Sequence, residues 1–474
     1  MIASENTNVH PKTHRIVIGC ITIYLIILVV IALTTNGTCD GGDSIMHYLY
    51  AKYAFANHEN FLNHWAKPLF VLFSAPFAQF GFVGIKIFNC IVASATVLFV
   101  YLISTKLYLK RSWLAPLILA FTPGYFIHIF SGLTEPLFAL FIIAGLYFLF
   151  SYKPTIGLII FSFLPFVRSE GIIIIGIVAF YIIINKHYRQ LVWLTIGHLL
   201  YSIIGYFHYH TLWWVFSKIP YIASSGKYGS GNILHYIIQL YYLLGLPIYI
   251  LLLGGFILKS NAILTSFKKE RRNKQIWLLY LIFIAFLSAH SLFWYFGLFE
   301  SMGMKRVLIC IIPIAALIGS MAIETSIDFI KNDSAKKLIM WSVCIYVIVF
   351  MFLPNPASVK WKKDLSLGED QILINMAIDD IEKKYGKDVF VLATHPQVCL
   401  RLNKNPFDKK QFAELKDWKL YQSANKKVIL IWDNWFAVIE SNLSLNELKA
   451  NAKFINEYAS ADSTKLIAVF ELSK

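Results

Sequence analysis

Charge is scarce in this 474-residue sequence: Asp, Glu, Lys and Arg together make up only 15% of it. Against that scarcity stand 57% hydrophobic and 16% aromatic residues and a mean hydropathy of +0.60, a balance that excludes a water-soluble fold of this size. Cysteine is sparse too. Cys20, Cys39, Cys90, Cys310, Cys344 and Cys399 lie mostly inside apolar runs, with no C-x-x-C pair and no regular spacing, so neither a disulfide framework nor a zinc site is indicated. Acidic residues number 27 against 43 basic ones, a net +16 that in a soluble chain would point to nucleic acid. Position decides otherwise. Residues 1–353 carry 25 Lys+Arg and 11 Asp+Glu, whereas 354–474 carry 18 and 16, so the basic excess belongs to the apolar part of the chain. No fixed-period repeat or low-complexity tract is visible.

What the sequence has in abundance is long apolar runs. A bilayer core of ~30 Å needs roughly 20 residues of helix. Runs near 16–34, 83–104, 113–130, 136–151, 154–168, 170–184, 190–208, 233–258, 276–296, 307–323 and 338–353 predict about eleven spans, several of them short. The stretch 69–81 is apolar but broken by Pro76, and fits a helix at the membrane interface. With a cytoplasmic N-terminus, the inside segments collect Lys12 and Arg15, Lys106, Lys110 and Arg111, Lys153, Lys186 and Arg189, the KKERRNK loop, and Lys331, Lys336 and Lys337. That satisfies the positive-inside rule and reads the basic excess as topology, with no nucleic-acid partner. An odd number of spans puts the C-terminal part outside, where apolar runs at 389–393, 428–432 and 466–470 predict strands and helical periodicity covers 371–385 and 445–458. The expected fold is mainly α. A polytopic transmembrane body over 1–353, with a first outer loop at 35–82, precedes a small extracytoplasmic α/β domain over 354–474.

The first outer loop begins with Asp40 and Asp43 around Gly41 and Gly42. A helix-compatible run over 44–57 follows, with Ile45, Tyr48, Leu49 and Ala56 on one side as expected for a helix resting on a bilayer and Ser44 available as its cap. The two acids are either solvated helix-start charges or carboxylates at the membrane mouth that take a proton from an acceptor hydroxyl. His47 shares a helical face with Asp43, and Trp65 stands next to Lys67, as an interfacial aromatic or a sugar platform. Further charges gather at span ends on the same side: Glu135 in SGLTEPLF, Arg168 and Glu170 in FVRSEG, and Lys305 and Arg306 against the inside-positive trend. Each has an ordinary reading as a helix-start acid, a local ion pair or an interfacial anchor. Each also has a functional one, since ionisable groups at membrane depth are costly.

The Asp-bearing first loop with its nearby His, then W-x-K-P, resembles the GT-C glycosyltransferases, a superfamily that includes protein mannosyltransferases and lipid A aminoarabinose transferases. The T-E-P and R-x-E-G junctions recur in similar membrane mannosyltransferases. The motif-level likeness covers residues 36–171, and the family's K-P-P is K-P-L here. The resemblance implies a membrane glycosyltransferase that uses a polyprenyl-phosphate sugar, with the catalytic Asp at Asp43 and Asp40 as the alternative. Lys67, Arg168, Arg306 and Lys305 are candidates for holding the donor phosphate; His47, Trp65, Glu135 and Glu170 are candidates for positioning substrate. The acceptor is a glycan, lipid or protein. Two aspartates also admit a divalent cation, which the sequence does not require. The rival readings are a transporter or flippase, which would show inverted repeats and midplane polar groups, and a polysaccharide polymerase or ligase, which would draw on a large late loop. His395 and Asp433 follow expected strands, where turn formation is their commoner role.

Overall fold

The computed structural model describes residues 11–151, 153–221, 228–265, 271–386, 388–422 and 427–472, with no side-chain description at 259–265 and 271–272. Part of the KKERRNK loop falls outside them.

Helices α1 (Pro11–Thr34), α2 (Asp43–Lys52), α3 (Pro68–Ala78) and α4 (Phe82–Lys106) open the chain. They are followed by α5 (Leu114–Ala120), α6 (Pro123–Ile129), α7 (Glu135–Phe150), α8 (Pro154–Ser162), α9 (Leu164–Val167), α10 (Gly171–Ile184), α11 (Ile196–Tyr209) and α12 (Trp214–Ser217). The helical body closes with α13 (His235–Thr265), α14 (Arg271–Phe296), α15 (Ile312–Asp328) and α16 (Asp333–Phe350). Helix stands at every expected span. Among the described residues, however, only six helices are individually long and apolar enough to cross a membrane, including the first at Pro11–Thr34 and the last at Lys305–Asp328. Other expected spans, several of them short in the sequence already, fall on shorter helices. The segment 113–130 is cut by Pro123, which starts α6 because its ring cannot continue α5, and α7 to α10 are short apolar helices. α13 bends where Gly245 takes φ +73°.

One apolar core runs through α1, α4, α7, α8, α13 and α15, from Leu28 through Ile142 to Ile318. The large apolar side chains left outside it, such as Ile16, Phe207 and Trp341 on α1, α11 and α16, are those a multi-pass membrane protein turns to lipid.

After α17 (Trp361–Asp364), the C-terminal part alternates α18 (Glu369–Tyr385), β1 (Phe390–Ala393), α19 (Pro396–Leu402), β2 (Phe412–Ala413), β3 (Val428–Asp433), α20 (Phe436–Ile439), α21 (Leu445–Asn451), β4 (Lys453–Ala459) and β5 (Leu466–Glu471). The sheet order is β2-β1-β3-β5-β4, parallel through β2, β1 and β3 and antiparallel at β5 and β4, with Leu392 opposite Leu430 and Leu430 opposite Phe470. Both faces are covered, which explains the unbroken apolar runs of β1 and β3. Phe390, Leu392, Leu430 and Trp432 pack beneath Trp418 and Leu448. Val391, Ala393, Ile429 and Ile431 meet Ile374 and Ile378 of α18.

Two expectations change here. The helix anticipated over 445–458 stops at Asn451 and becomes the half-exposed edge strand β4, because pairing with β5 overrides a helical pattern that had little apolar surface to bury. The run expected over 44–57 ends as helix at Lys52, and the apolar side of α2 does not rest on a bilayer: Ile45, Tyr48, Leu49 and Ala51 pack in one cluster with α18 and the sheet. The loop that follows α1 is thus clamped to the α/β unit. Gly37 N donates to Leu365 O at 3.0 Å, Thr38 and Gln371 share a buried side-chain hydrogen bond, and Lys52 reaches Asn403.

Candidate active site

The site is built from the starts and ends of helices on one side of the helical body. Asp40 follows Cys39, whose φ is +63°, and its Oδ1 accepts from Gly42 N at 2.8 Å and Ser44 N at 3.4 Å. Asp40 therefore satisfies the first amides of α2, not Ser44 as the sequence led us to expect. Ser44 lies inside the helix, where its Oγ donates to Thr38 O and accepts from Gly132 N, each at 2.7 Å. A Cβ on Gly132 would sit 2.2 Å from Ser44 O, so only glycine allows the SGLTE turn to approach α2 this closely. Asn89 of α4 holds the same turn by donating to Ser131 O at 2.7 Å. Gly132→Val is expected to cost about 1–3 kcal/mol by overpacking, read as a lower thermal midpoint of the full chain in nanodiscs.

Fixing the turn fixes Glu135, the first residue of α7, which is 1% exposed. Arg168 leaves α9 in extended conformation and Glu170 precedes α10. Arg168 Nη1 lies 2.8 Å from Glu135 Oε1 and 3.0 Å from Thr134 Oγ1, and Nη2 donates to Glu170 Oε1 at 2.8 Å. Arg306 completes the chain of charges. Its Nη1 bonds Asp40 Oδ2 at 2.5 Å, its Nη2 bonds Asp43, and its Nε lies 3.5 Å from Glu135 Oε1. Two guanidiniums thus tie together four carboxylates from three distant stretches of chain.

Lys67 is the cation left over. Asn63 Oδ1 accepts from Trp65 N at 2.9 Å and Ala66 N at 3.0 Å, and this turn delivers Lys67 to the start of α3 with φ +67° and ψ +100°. A non-glycine residue in that region is strained by roughly 1–3 kcal/mol, and such strain concentrates at functional sites. The side chain is 4% exposed; Nζ donates to Ser169 Oγ at 3.0 Å and lies 4.7 Å from the Tyr221 ring centroid. Among the described residues no carboxylate forms an ion pair with it. Burial drives its pKa down to about 7; Arg168 adds to the fall, while Glu170, Asp43 and Glu135 oppose it.

Two cavities meet at Asp43. One, of about 570 Å³, is largely apolar, lined by Ile172, Ile219, Tyr236, Phe293 and Phe299, with Arg168, Glu170, Asp43 and Arg306 at its charged end. The other, of about 440 Å³ and the more polar of the two, lies between α2 and the α/β unit, with Asp40, Trp65, His395 and Trp435 among its walls. Arg168 Nε and His290 Nε2, both in residues lining the apolar cavity, and Glu135 Oε2 are buried without a hydrogen-bond partner among the described residues.

The remaining candidates divide. Trp65 reaches the polar cavity, and His47 stacks on it with ring centroids 4.8 Å apart and lies edge-on to Phe70. Burial, with Lys67, Arg306 and Arg168, holds the His47 imidazole down at about 3, so the ring is neutral. Lys305 is exposed, lines neither cavity and is not brought to the cluster. His290, Ser169, Tyr221 and Tyr236 join the site without having been singled out in sequence. Each is a lone polar or aromatic residue in or beside an apolar run, and only tertiary structure distinguishes them from ordinary core. Asp433 acts as a turn former, accepting from Trp435 N at 3.0 Å and Phe436 N at 2.5 Å. His395 caps α19 through Gln397 N and faces Asp370 at 3.2 Å. Among the described residues no three His, Cys, Asp or Glu side chains converge as a metal-ligand set.

No protein-family model matches the sequence, and no curated protein matches it. The fold does have a solved counterpart. The crystal structure of ArnT from Cupriavidus metallidurans in the apo state superposes with a TM-score of 0.64 at 10% sequence identity, covering 96% of this chain and 98% of that one. At that identity the likeness establishes an ArnT-like fold: a polytopic helical membrane body followed by a small mixed α/β sheet.

Proposed function

We propose that this chain is an integral-membrane glycosyltransferase that moves a sugar from a polyprenyl phosphate to an acceptor hydroxyl on the outer face of the membrane. In this reading the N-terminus is cytoplasmic and the α/β unit, from about residue 354, is extracytoplasmic. The observation that carries it is the charge cluster bordering a largely apolar cavity, within a fold like that of ArnT, a lipid A aminoarabinose transferase of the GT-C type. A polyprenyl chain needs an apolar channel, and its phosphodiester needs cations at the mouth.

Asp43 takes the proton of the acceptor hydroxyl, whose oxygen forms a bond to the sugar's anomeric carbon. The bond from that carbon to the phosphate oxygen breaks, and its electron pair leaves on the polyprenyl phosphate. The leaving group departs as a stable anion, so it needs positive charge more than a general acid. Arg168 and Arg306, which border the apolar cavity, are candidates, and Lys67, buried without an anionic partner among the described residues, is a third that reaches the cavity wall through Ser169. Arg306 has a second effect. It engages both Asp40 and Asp43; a donor phosphate that draws the guanidinium toward itself frees Asp43 to act as a base. Neither the proton balance nor the charge balance of these steps requires a divalent cation.

The test is binding and transfer with a panel of radiolabelled polyprenyl-phosphate sugars on the full chain in nanodiscs. Transfer from at least one donor supports the reading, and no binding of any polyprenyl phosphate removes it. The pH dependence is a sharper check. The phosphodiester does not titrate near neutrality, and an anion favours protonated Lys67, so binding above pH 7 takes up a proton. Donor Kd is therefore expected to level off below pH 7 and to rise about tenfold per unit above it. Lys67→Met should weaken binding and flatten this slope; an unchanged slope would take Lys67 out of the phosphate site.

A further inference from the structure

Where α1 and α16 end, on the side of the α/β unit, the lipid-facing surface meets three lysines. Val30 and Leu33 of α1 and Ile345 and Val349 of α16 are exposed apolar side chains, and Phe352 and Leu353 carry that surface just past the end of α16. The chain then turns sharply. Asn355 Oδ1 accepts from Ala357 N at 2.9 Å, its Nδ2 donates to Leu353 O at 3.0 Å, and Val359 N returns to Met351 O at 3.2 Å, while Pro354 and Pro356 restrict the backbone further. This fixed turn delivers Lys360, Trp361, Lys362 and Lys363, all exposed, to the edge of the lipid-facing surface. The Trp361 ring lies flat on Phe352, with centroids 5.8 Å apart and planes 8° from parallel, and edge-on to Phe126. Tryptophan is favoured at the boundary between acyl chains and headgroups, and these contacts hold the ring there.

Charge singles the three lysines out. Lys416, Lys419 and Lys427 of the α/β unit each face a carboxylate, and so do Lys110 and Lys336 at the opposite end of the helical body. Among the described residues no carboxylate forms an ion pair with Lys360, Lys362 or Lys363. The acid in their own turn, Asp364, uses Oδ2 to accept from Lys360 N at 2.7 Å. Basic residues on this side also run against the inside-positive trend of the chain. Ammonium groups beside exposed apolar side chains complement an anionic amphiphile: phosphate meets the lysines, and acyl chains meet Leu33, Phe352 and Leu353. A nucleic acid or an acidic peptide would match the lysines alone. Two open grooves give room for headgroups, one of about 500 Å³ beside Lys360 and Phe352 and one of about 380 Å³ beside Trp361 and Leu33. Neither groove shares a lining residue with the two cavities at Asp43.

We infer that residues 352–363 form a binding site for the phosphate headgroup of an anionic phospholipid in the leaflet nearest the α/β unit. The site goes beyond the transferase reading and does not depend on it. Leu365 lines the groove beside Trp361, and its carbonyl accepts from Gly37 N, so a lipid held here lies against the stretch of chain that leads to Asp40.

The test places the full chain in nanodiscs of equimolar phosphatidylglycerol and phosphatidylcholine with identical acyl chains. A photocrosslinking p-benzoylphenylalanine replaces Phe352 or, separately, Leu353, and lipid adducts are counted by mass spectrometry. Phosphatidylglycerol adducts should exceed phosphatidylcholine adducts at least about fivefold, and raised salt should narrow the ratio. Lys360→Gln/Lys362→Gln/Lys363→Gln should bring the ratio close to one, whereas the corresponding triple change to Arg should keep it. Lys331→Gln/Lys337→Gln, at the opposite end of the helical body, should leave it unchanged. All of these lysines are exposed, and thermal midpoints matched to wild type confirm that the variants are folded. Equal adducts of the two lipids, a ratio indifferent to the triple Gln change, or an equal fall in the Lys331/Lys337 variant would overturn the inference. Loss of phosphatidylglycerol adducts to competing soluble glycerol phosphate would also overturn it, by marking a site for free anions.

Discussion

Asp43→Asn lowers transfer from a polyprenyl-phosphate sugar by about two to four orders of magnitude, the usual contribution of a positioned general base, while donor binding is retained. The amide keeps the shape of the carboxylate and a hydrogen-bonding contact to Arg306, so α2 should stay folded, but it cannot accept the acceptor's proton. Asp40→Asn is expected to do less. Asp40 Oδ1 serves the amides that start α2 and its Oδ2 serves Arg306, roles that an asparagine partly preserves. The geometry also separates the two acids: Asp43 borders both cavities, whereas Asp40 borders only the polar one. Equal losses in the two variants would argue for a shared carboxylate pair, and undiminished transfer by Asp43→Asn would remove it from the mechanism. Rates at saturating donor, with the amount of folded protein matched, give the comparison.

Arg168→Met produces the largest loss of stability. Its guanidinium is the partner of Glu135 and Glu170, whose side chains are only 2% and 18% exposed. Removing one side of a buried ion pair leaves uncompensated charge, at a cost of about 3–5 kcal/mol. The penalty belongs to the abandoned carboxylates, so removing one of them should return part of it. Arg168→Met/Glu170→Gln is therefore expected to be more stable than Arg168→Met alone, with Glu135 still facing Arg306. Thermal unfolding of the four members of the cycle in nanodiscs measures the coupling. A double variant as unstable as the sum of the singles would mean that the two residues do not act as a pair.

Much of this arrangement was legible in the sequence, for a physical reason. In a chain so poor in charge, each ionisable residue at the end of an apolar run is conspicuous, because the bilayer makes it costly. Asp40, Asp43, Glu135, Arg168, Glu170 and Arg306 were found in that way, and the structure brings them into contact. What one sequence does not contain is their pairing. Arg306 and Asp43 are 263 residues apart, and nothing local says that one guanidinium spans both aspartates. The same limit explains Lys305, which has Arg306's sequence context but is exposed and lines neither cavity, and His290, which looks like any histidine in an apolar helix. Surface assignment failed at α2, where Ile45, Tyr48 and Leu49 form a correct amphipathic face; periodicity tells that the face is covered, not whether lipid or the α/β unit covers it. At β4 the residues Lys453 to Ala459 are too exposed to carry a strong pattern of either period, so their partner β5 decides the structure. The short helices α7 to α10 likewise have the composition of spans without their length.

The measurement that bears most directly on the transferase reading is the fate of the bond between sugar and phosphate. Proteoliposomes containing the wild-type chain are given a donor labelled in both the sugar and the polyprenyl phosphate, together with an acceptor glycan. The account predicts that sugar label appears on the acceptor in equal amount with free polyprenyl phosphate, and that neither is released by Asp43→Asn. Intact doubly labelled donor crossing the bilayer, with no free polyprenyl phosphate formed, would contradict it and identify a transporter of the lipid-linked sugar instead.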